Sequence, residues 1–324
     1  MTLHPSLAAV RLPVRRSLSE LAPGDVVAVA CSGGADSLAL ASAAVFEGHK
    51  LGLRIVGVTV DHSLQPGSHE QADRVVAQLA RLGVDETLTA RVEVDVASGL
   101  GPEAAAREAR YAVLEQVAAH LRARAVLLGH TLDDQAETVL LGLARGSGAR
   151  SLQGMRPAFD VFVRPLLGVR RADTVTACQV EGLDVWDDPH NHDPGYARVR
   201  VRRRVLPVLE DELGPGIAET LARTADQLRD DTALLDRLAD EALARAERGA
   251  GLDVAALALE PRALRHRVLH RVALAAGVPA SELTRDHVVA VDALVTSWRG
   301  QKWIDLPGHR RALRRDGVLV LEPA

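Results

Sequence analysis

The hexapeptide Ser32-Gly33-Gly34-Ala35-Asp36-Ser37 constrains the fold more than any other part of this sequence. It follows the apolar run Val26-Val27-Ala28-Val29-Ala30 and leads into an Ala- and Leu-rich segment with helical spacing, so it reads as strand, loop and helix. Two adjacent glycines let the backbone approach a ligand without a Cβ in the way, and the following helix aims free N–H groups at an anion. The serine hydroxyls add donors, and Asp36 stands where a carboxylate holds a magnesium ion that bridges phosphate oxygens. The Gly-Lys-Ser/Thr ending of the Walker pattern is absent. In isolation such a hexapeptide is an ordinary turn; its place between strand and helix favours a phosphate loop.

Around it, short β-rich runs at 26–30, 54–60, 91–95 and 125–129 alternate with helical stretches such as 71–82 and 103–120. That alternation predicts an α/β fold, an open and mostly parallel sheet with helices on both faces. Ser68 and Gln71 have the spacing of a capping box at the start of one helix. In open α/β sheets ligands sit beyond the carboxyl ends of the strands, where residues 32–37, the pair Asp61-His62 and His130 all fall. The pattern changes near Leu206-Pro207, after which residues 217–248 read as one amphipathic helix. We therefore expect two domains, 1–206 and 207–324, a division that 324 residues with 47% hydrophobic side chains support. The second is expected to be smaller and mainly helical, with a short strand pair at 302–306 and 317–321 joined across Pro307-Gly308.

The formal net charge is -4, so a nucleic-acid partner would be met by a local basic patch rather than by the whole surface. Arg198, Arg200, Arg202, Arg203 and Arg204 form one such patch, which reads either as a phosphate contact or as an interdomain salt-bridge strap. Arg310, Arg311, Arg314 and Arg315 form another, and two basic sites suit a large folded RNA better than a small ligand. Aromatic residues make up only 2%, which weighs against an extended stacking platform and makes Tyr111, Tyr196 and the three tryptophans stand out. Cys31 and Cys178 supply neither a disulfide framework nor a Cys-x-x-Cys site. With no membrane span and no secretory core in the first twenty residues, a soluble, cytoplasmic protein is expected.

A second constellation follows the fourth strand. Within Leu128-Gly129-His130-Thr131-Leu132-Asp133-Asp134-Gln135-Ala136-Glu137-Thr138, Asp134 and Glu137 are three apart and share a helix face. In a cleft beside a phosphate loop they would hold a cationic amine or a second metal; on a wet surface they are an acidic first turn favoured by the helix dipole. Spacing alone leaves these two readings even, and His130, one turn before Asp134, tips the balance towards a site. On another helix Glu103, Arg107, Arg110 and Tyr111 recur at three- and four-residue spacing, which surface ion pairs explain as well as an arginine reaching nucleotide phosphates. The Asp61-His62 pair by itself carries no assigned role.

The hexapeptide resembles the pyrophosphate loop of the ATP pyrophosphatase superfamily, whose members cleave ATP between the α and β phosphates. Within it the chain is similar to the tRNA(Ile)-lysidine synthetases. The similarity runs through VDHSLQPGSHEQA (60–72), PEAAAREARYAVL (102–114), LGHTLDDQAETVLLGLARGSGARSLQGM (128–155), RPLL (164–167) and DPHNHDPGYARVRVRRRVLPVL (188–209). It covers most of the first two-thirds of the chain, and the GHTxDDQxET and RGSGxxxLxGM blocks are far more specific than the loop. The sequence departs from the family at His190, Val199 and Gly101-Pro102, where Ser, Asn and Asn are usual.

The resemblance implies an adenine nucleotide alpha hydrolase-like fold and a ligase that joins free lysine to the wobble cytidine of tRNA(Ile) with a CAU anticodon. An adenylated cytidine would be the intermediate, with AMP and pyrophosphate released. It implies ATP on Ser32, Gly33, Gly34, Ala35, Asp36, Ser37 and Arg107, magnesium on Asp36, and lysine on Asp134 and Glu137, which would also ease proton loss from its ammonium. Asp36, His130, Asp134, Glu137 and Arg110 would serve catalysis, and Arg198, Arg200, Arg202, Arg203 and Arg204 would meet tRNA phosphates, Arg202 also offsetting charge during transfer. The alternatives are a thiolation-type tRNA-modifying enzyme of the same superfamily and a non-catalytic, nucleotide-dependent RNA-binding module. The oligomeric state stays open, with a homodimer among the options.

Overall fold

The computed structural model describes residues 3–61, 68–91, 102–146 and 148–324, so His62 lies outside it. The chain divides into two compact units, Met1–Asp226 and Gln227–Ala324.

In the first unit a six-stranded sheet is built from β1 (Val26–Ala30), β2 (Arg54–Asp61), β3 (Glu86–Arg91), β4 (Ala125–Leu127), β5 (Ala158–Phe159) and β6 (Phe162–Val163). Its order is β3-β2-β1-β4-β6-β5, parallel throughout except for the β5-β6 pair. The helices are α1 (Pro5–Leu18), α2 (Ala35–Lys50), α3 (Ser68–Leu82), α4 (Pro102–Leu121), α5 (Leu132–Arg145) and α6 (Arg171–Glu181). Val27 and Val29 of β1 face a core with α1, α2, α3 and α6, while Ala28 faces a second core with Leu114 and Ala118 of α4. A strand buried on both faces needs a continuous apolar run, and VVAVA is one. The sheet order reverses between β1 and β4, so their carboxyl ends open the crevice where such sheets bind ligands.

Two features that the sequence reading did not anticipate have clear causes. The third strand runs 86–91 rather than 91–95, whose last four residues lie outside the description; at the sheet edge, half-buried and polar, ETLTAR lacks the apolar continuity that marks β1. Residues 5–18 form a helix despite Pro13, because Leu7, Val10, Val14 and Leu18 recur at helical spacing and bury one face.

The expected boundary at Leu206-Pro207 falls within helical chain. α7 (Ala197–Arg200) continues through a π-helical turn, Val201–Val205, into α8 (Leu206–Glu212), and α9 (Ile217–Ala246) follows. Leu206 packs with Leu132, Ala136, Ala218 and Ala222, which ties this stretch to α5 and extends the first unit to Asp226.

The second unit joins β7 (Glu247–Arg248), β8 (Gly251–Asp253), α10 (Val254–Leu259), α11 (Arg262–Ala275), α12 (Arg285–Thr296), β9 (Ile304–Leu306), β10 (Arg310–Arg315) and β11 (Val318–Pro323). Its sheet is antiparallel, in the order β7-β8-β11-β10-β9. The strands expected at 302–306 and 317–321 are present as β9 and β11, but each pairs with β10, the basic segment between them. Among the described residues no helix is long and apolar enough to cross a membrane.

Candidate active site

The loop after β1 takes the form the glycines allow. Gly33 has φ +86°, and a Cβ there would come within 2.8 Å of Gln71 Nε2 and Val75 Cγ2. A Cβ on Gly34 would meet only Ser32 Oγ, at 3.8 Å, so packing within the chain does not call for glycine there. The absence of a Cβ leaves the backbone there open to close approach by a ligand. Ser37 is committed to the loop: its Oγ accepts from Ser32 N at 3.1 Å and donates to Gly34 O at 2.9 Å. Trp186 N donates to Gly33 O at 2.9 Å, bringing a tryptophan beside the loop.

Thr131 caps α5 through a reciprocal capping box with Asp134, whose Oδ2 accepts from Thr131 N and Oγ1, both at 2.9 Å. Asp134 is 7% exposed and Glu137 fully buried, which removes the solvated-turn reading of this acidic pair. Buried carboxylates need partners, and guanidinium groups supply them. Arg171, at the first position of α6, donates from Nε to Asp36 Oδ2 (3.1 Å), from Nη2 to Asp134 Oδ1 (2.7 Å) and from Nη1 to Glu137 Oε1 (3.4 Å). Arg202 donates to Glu137 Oε1 (2.6 Å) and Oε2 (3.1 Å) and to Asp134 Oδ1 (3.3 Å). Arg198 lies 3.9 Å from Glu137 and 4.0 Å from Asp134. Thr174 also donates to Asp36, and Asp133 accepts from the backbone N of Arg171 at 2.7 Å, holding α6 against α5. Gly129 permits the close fit of β4 to α2, since a Cβ there would sit 3.1 Å from the backbone of Asp36.

The charges respond to these neighbours. Burial works to raise the Asp134 pKa, but Arg171, the Thr131 N–H, His130 and Arg202 bring it down to about 2. Burial raises Asp36, with Arg171 pulling the other way and Asp134 reinforcing the rise. His130 is held down to about 3, by burial first and by Arg164, Arg107 and Arg198, against the pull of Asp134. Its Nδ1 accepts from Arg164 Nε at 3.3 Å, leaving Nε2 as the N–H donor of a neutral ring. Arg164 is itself fixed by Arg156 O (2.6 Å), Tyr111 Oη (2.9 Å) and the Phe159 ring.

The remaining arginines expected at the site divide. Arg107 is exposed and donates to Tyr111 Oη at 3.1 Å, and Arg110 is exposed on α4. Arg200 donates to Pro194 O and Gly195 O, Arg203 bonds His192, and Arg204 is exposed. Asp61 is buried at the end of β2, 3.9 Å from Arg91. Sequence reasoning missed Arg171, Thr174 and the part played by Arg164. One signal was available: an arginine at a helix start opposes the dipole, so its presence there points to carboxylate partners. A cavity of about 180 Å³ adjoins the cluster, lined by Glu137, Arg170, Arg171, Arg202 and Glu210 among others.

As for magnesium, no group of three or more His, Cys, Asp or Glu among the described residues forms a site made by protein alone. A single carboxylate beside a phosphate loop is the arrangement magnesium takes with nucleotides, and Asp36 at the first turn of α2 fits it.

Comparison with known proteins bears on this geometry. Residues 11–209 match the PP-loop domain model, and residues 252–319 match the TilS substrate binding domain model. The chain is 57% identical over 318 residues to the tRNA(Ile)-lysidine synthase of Thermobifida fusca, covering 98% of each chain. It is 50% identical over 348 residues to that of Streptomyces coelicolor, again over 98% of each. The U34-tRNA thiolase NcsA of Methanococcus maripaludis, with its [4Fe-4S] cluster, shares the fold at a TM-score of 0.59 and 18% identity, over 69% of this chain and 79% of that one.

Proposed function

Because the chain belongs to the tRNA(Ile)-lysidine synthase family, we propose that it uses ATP to join free lysine to the wobble cytidine of tRNA(Ile) with a CAU anticodon. The observation that carries this reading is the buried pair Asp134 and Glu137, held beside Asp36 of the phosphate loop by one shared guanidinium group.

In the first step the cytosine O2 attacks the α-phosphorus of ATP and the bond to the pyrophosphate oxygen breaks. The loop at 32–34 and the first turn of α2 bind the phosphates through backbone N–H groups. Asp36 would hold magnesium, which would supply charge to offset that of the phosphates. Arg202, Arg198 and Arg171 stand where guanidinium groups offset charge building on the transferring phosphoryl group. Neutral His130 donates from Nε2 to an oxygen of the nucleotide or base rather than moving a proton. In the second step the lysine Nε, having passed its ammonium proton to water, attacks C2 as the free amine; the C2–O bond breaks and AMP departs. Adenylation turns a poor leaving oxygen into a good one and splits a difficult substitution in two. Asp134, ionised down to about pH 2, is a weak base, better suited to hold the lysine ammonium than to strip its proton. Arg200, Arg203 and Arg204, exposed on the turn after α7, and the arginines of β10 supply contacts for tRNA phosphates.

A thiolation reading is less well supported by the cysteines. Both are buried, and burial raises both thiols, Cys178 to about 12, where the thiolate needed for sulfur chemistry is scarce.

The test is incubation of the purified protein with ATP, magnesium, radiolabelled lysine and an unmodified tRNA(Ile) transcript bearing CAU, with tRNA(Met) as control. Label is expected in tRNA(Ile) alone. AMP release without label in either tRNA would overturn the choice of lysine.

A further inference from the structure

Asp36, Asp134 and Glu137 carry three negative charges, and Arg171, Arg202 and Arg198 carry three positive ones, within 4.0 Å of their partners. The cluster is therefore neutral, and Asp134 is fully engaged: Oδ2 by the Thr131 cap, Oδ1 by Arg171 and Arg202. A lysine ammonium would enter against three guanidinium charges and find its carboxylates already paired. Nucleotide phosphates beside Asp36 change that balance, because pairs of their oxygens compete for the same planar guanidinium forks, which bind phosphate bidentately. Arg171 alone touches all three carboxylates, so it is the side chain through which the two halves of the site sense each other.

We propose that Arg171 is a positioning residue that couples the half-sites: it blocks Asp134 and Glu137 against lysine until nucleotide phosphates draw guanidinium charge towards Asp36. This rests on the lysine-ligase reading above. The consequence is an order of addition, nucleotide before amine, and coupling of the two affinities by the same factor in both directions. It also guards the intermediate, since a site that admits the amine only when nucleotide is present holds its second substrate ready as the activated base forms.

The experiment measures the dissociation constant of lysine by equilibrium dialysis of the full chain, with and without magnesium and an ATP analogue whose α–β bridge resists cleavage. Wild-type protein should bind lysine about tenfold more tightly with the analogue present. In Arg171→Gln, lysine binding without the analogue should tighten and the analogue should change it little; Arg171→Lys, which keeps the charge but cannot span three carboxylates, should retain part of the coupling. Circular dichroism and the melting temperature of each variant establish that it is folded. Should Arg171→Gln fail to fold, the wild-type ratio and Arg171→Lys decide. Equal lysine affinity with and without analogue in the wild type overturns the coupling and leaves the ligase reading standing. Lysine bound in neither condition removes both.

Discussion

Arginine serves two opposite purposes in this chain, and the contrast between the α5–α6 cluster and strand β10 shows what burial does to a charge. In the first unit Arg171 and Arg202 face Asp134 and Glu137, which are almost or wholly out of water, each positive charge has a negative partner, and each guanidinium is held by several bonds. In the second unit β10 carries Arg310, Arg311, Arg314 and Arg315, of which only Arg311 has an ion pair among the described residues, with Glu322. Arg311 and Arg314 instead lean on Trp303 and Trp298, both about half exposed. The first arrangement fixes geometry at the cost of desolvation, whereas the second leaves charge available to an external polyanion.

The sharpest way to break this contrast is to remove one carboxylate from each region. Glu137→Ala should abolish lysine incorporation and, by leaving the cluster of Arg171, Arg198 and Arg202 with one unbalanced, partly buried positive charge, destabilise the fold by about 3 kcal/mol in urea denaturation. Glu322→Ala, which strands a half-exposed arginine, should cost no more than about 1 kcal/mol. Equal losses would mean that burial does not separate the two regions.

Next in size, Asp36→Ala should reduce both tRNA-dependent ATP–pyrophosphate exchange and lysine incorporation by about a hundredfold or more, in a protein that still melts cooperatively. Full retained activity would remove Asp36 from the chemistry.

Acid should then find the first unit before the second. His130 titrates near 3 in the fold and near 6.5 when unfolded, so the unfolded chain binds more protons between those values and stability falls as pH drops through that window. Asp134, at about 2 folded against 3.8, adds a loss confined to pH below about 4. Nitrogen-15 NMR should find the His130 ring neutral from pH 5 to 8, with Nδ1 unprotonated; in Arg164→Met its pKa should rise. A wild-type His130 that titrates near neutrality would contradict this.

The smallest effect belongs to β10. Arg314→Ala should weaken binding of every tRNA alike and lower the slope of log affinity against log salt by about one, with lysine binding unchanged. An unchanged slope would mean that this arginine serves only the packing around Trp298.

What the sequence made legible follows from where the signal is local. The strand β1, the glycine loop and the α5 cap are each written in consecutive residues, and 26–30 is the strand expected. The pairing of Asp134 with Glu137 follows from helical spacing, but their burial does not, because it depends on Arg171 and Arg202 arriving from elsewhere in the chain. For the same reason Arg198 and Arg202 read as part of one basic run, although in space they turn inward while Arg200, Arg203 and Arg204 lie at the surface. A π turn at Val201–Val205 sits inside that run, and single-turn departures of this kind leave no mark in periodicity.

Gly129 sets the scale on which all this works. Because it carries no side chain, the chain just past β4 lies against the backbone of Asp36, and the places proposed for base activation, at Asp36, and for the amine, at Asp134, are one guanidinium apart. On the proposed reading, a base activated at the first place would already be within reach of the second, so the second substitution would need no carrier arm and no journey through solvent. Any side chain at position 129 would push these two places apart, and on the proposed reading the activated base would then be open to water before it met the amine.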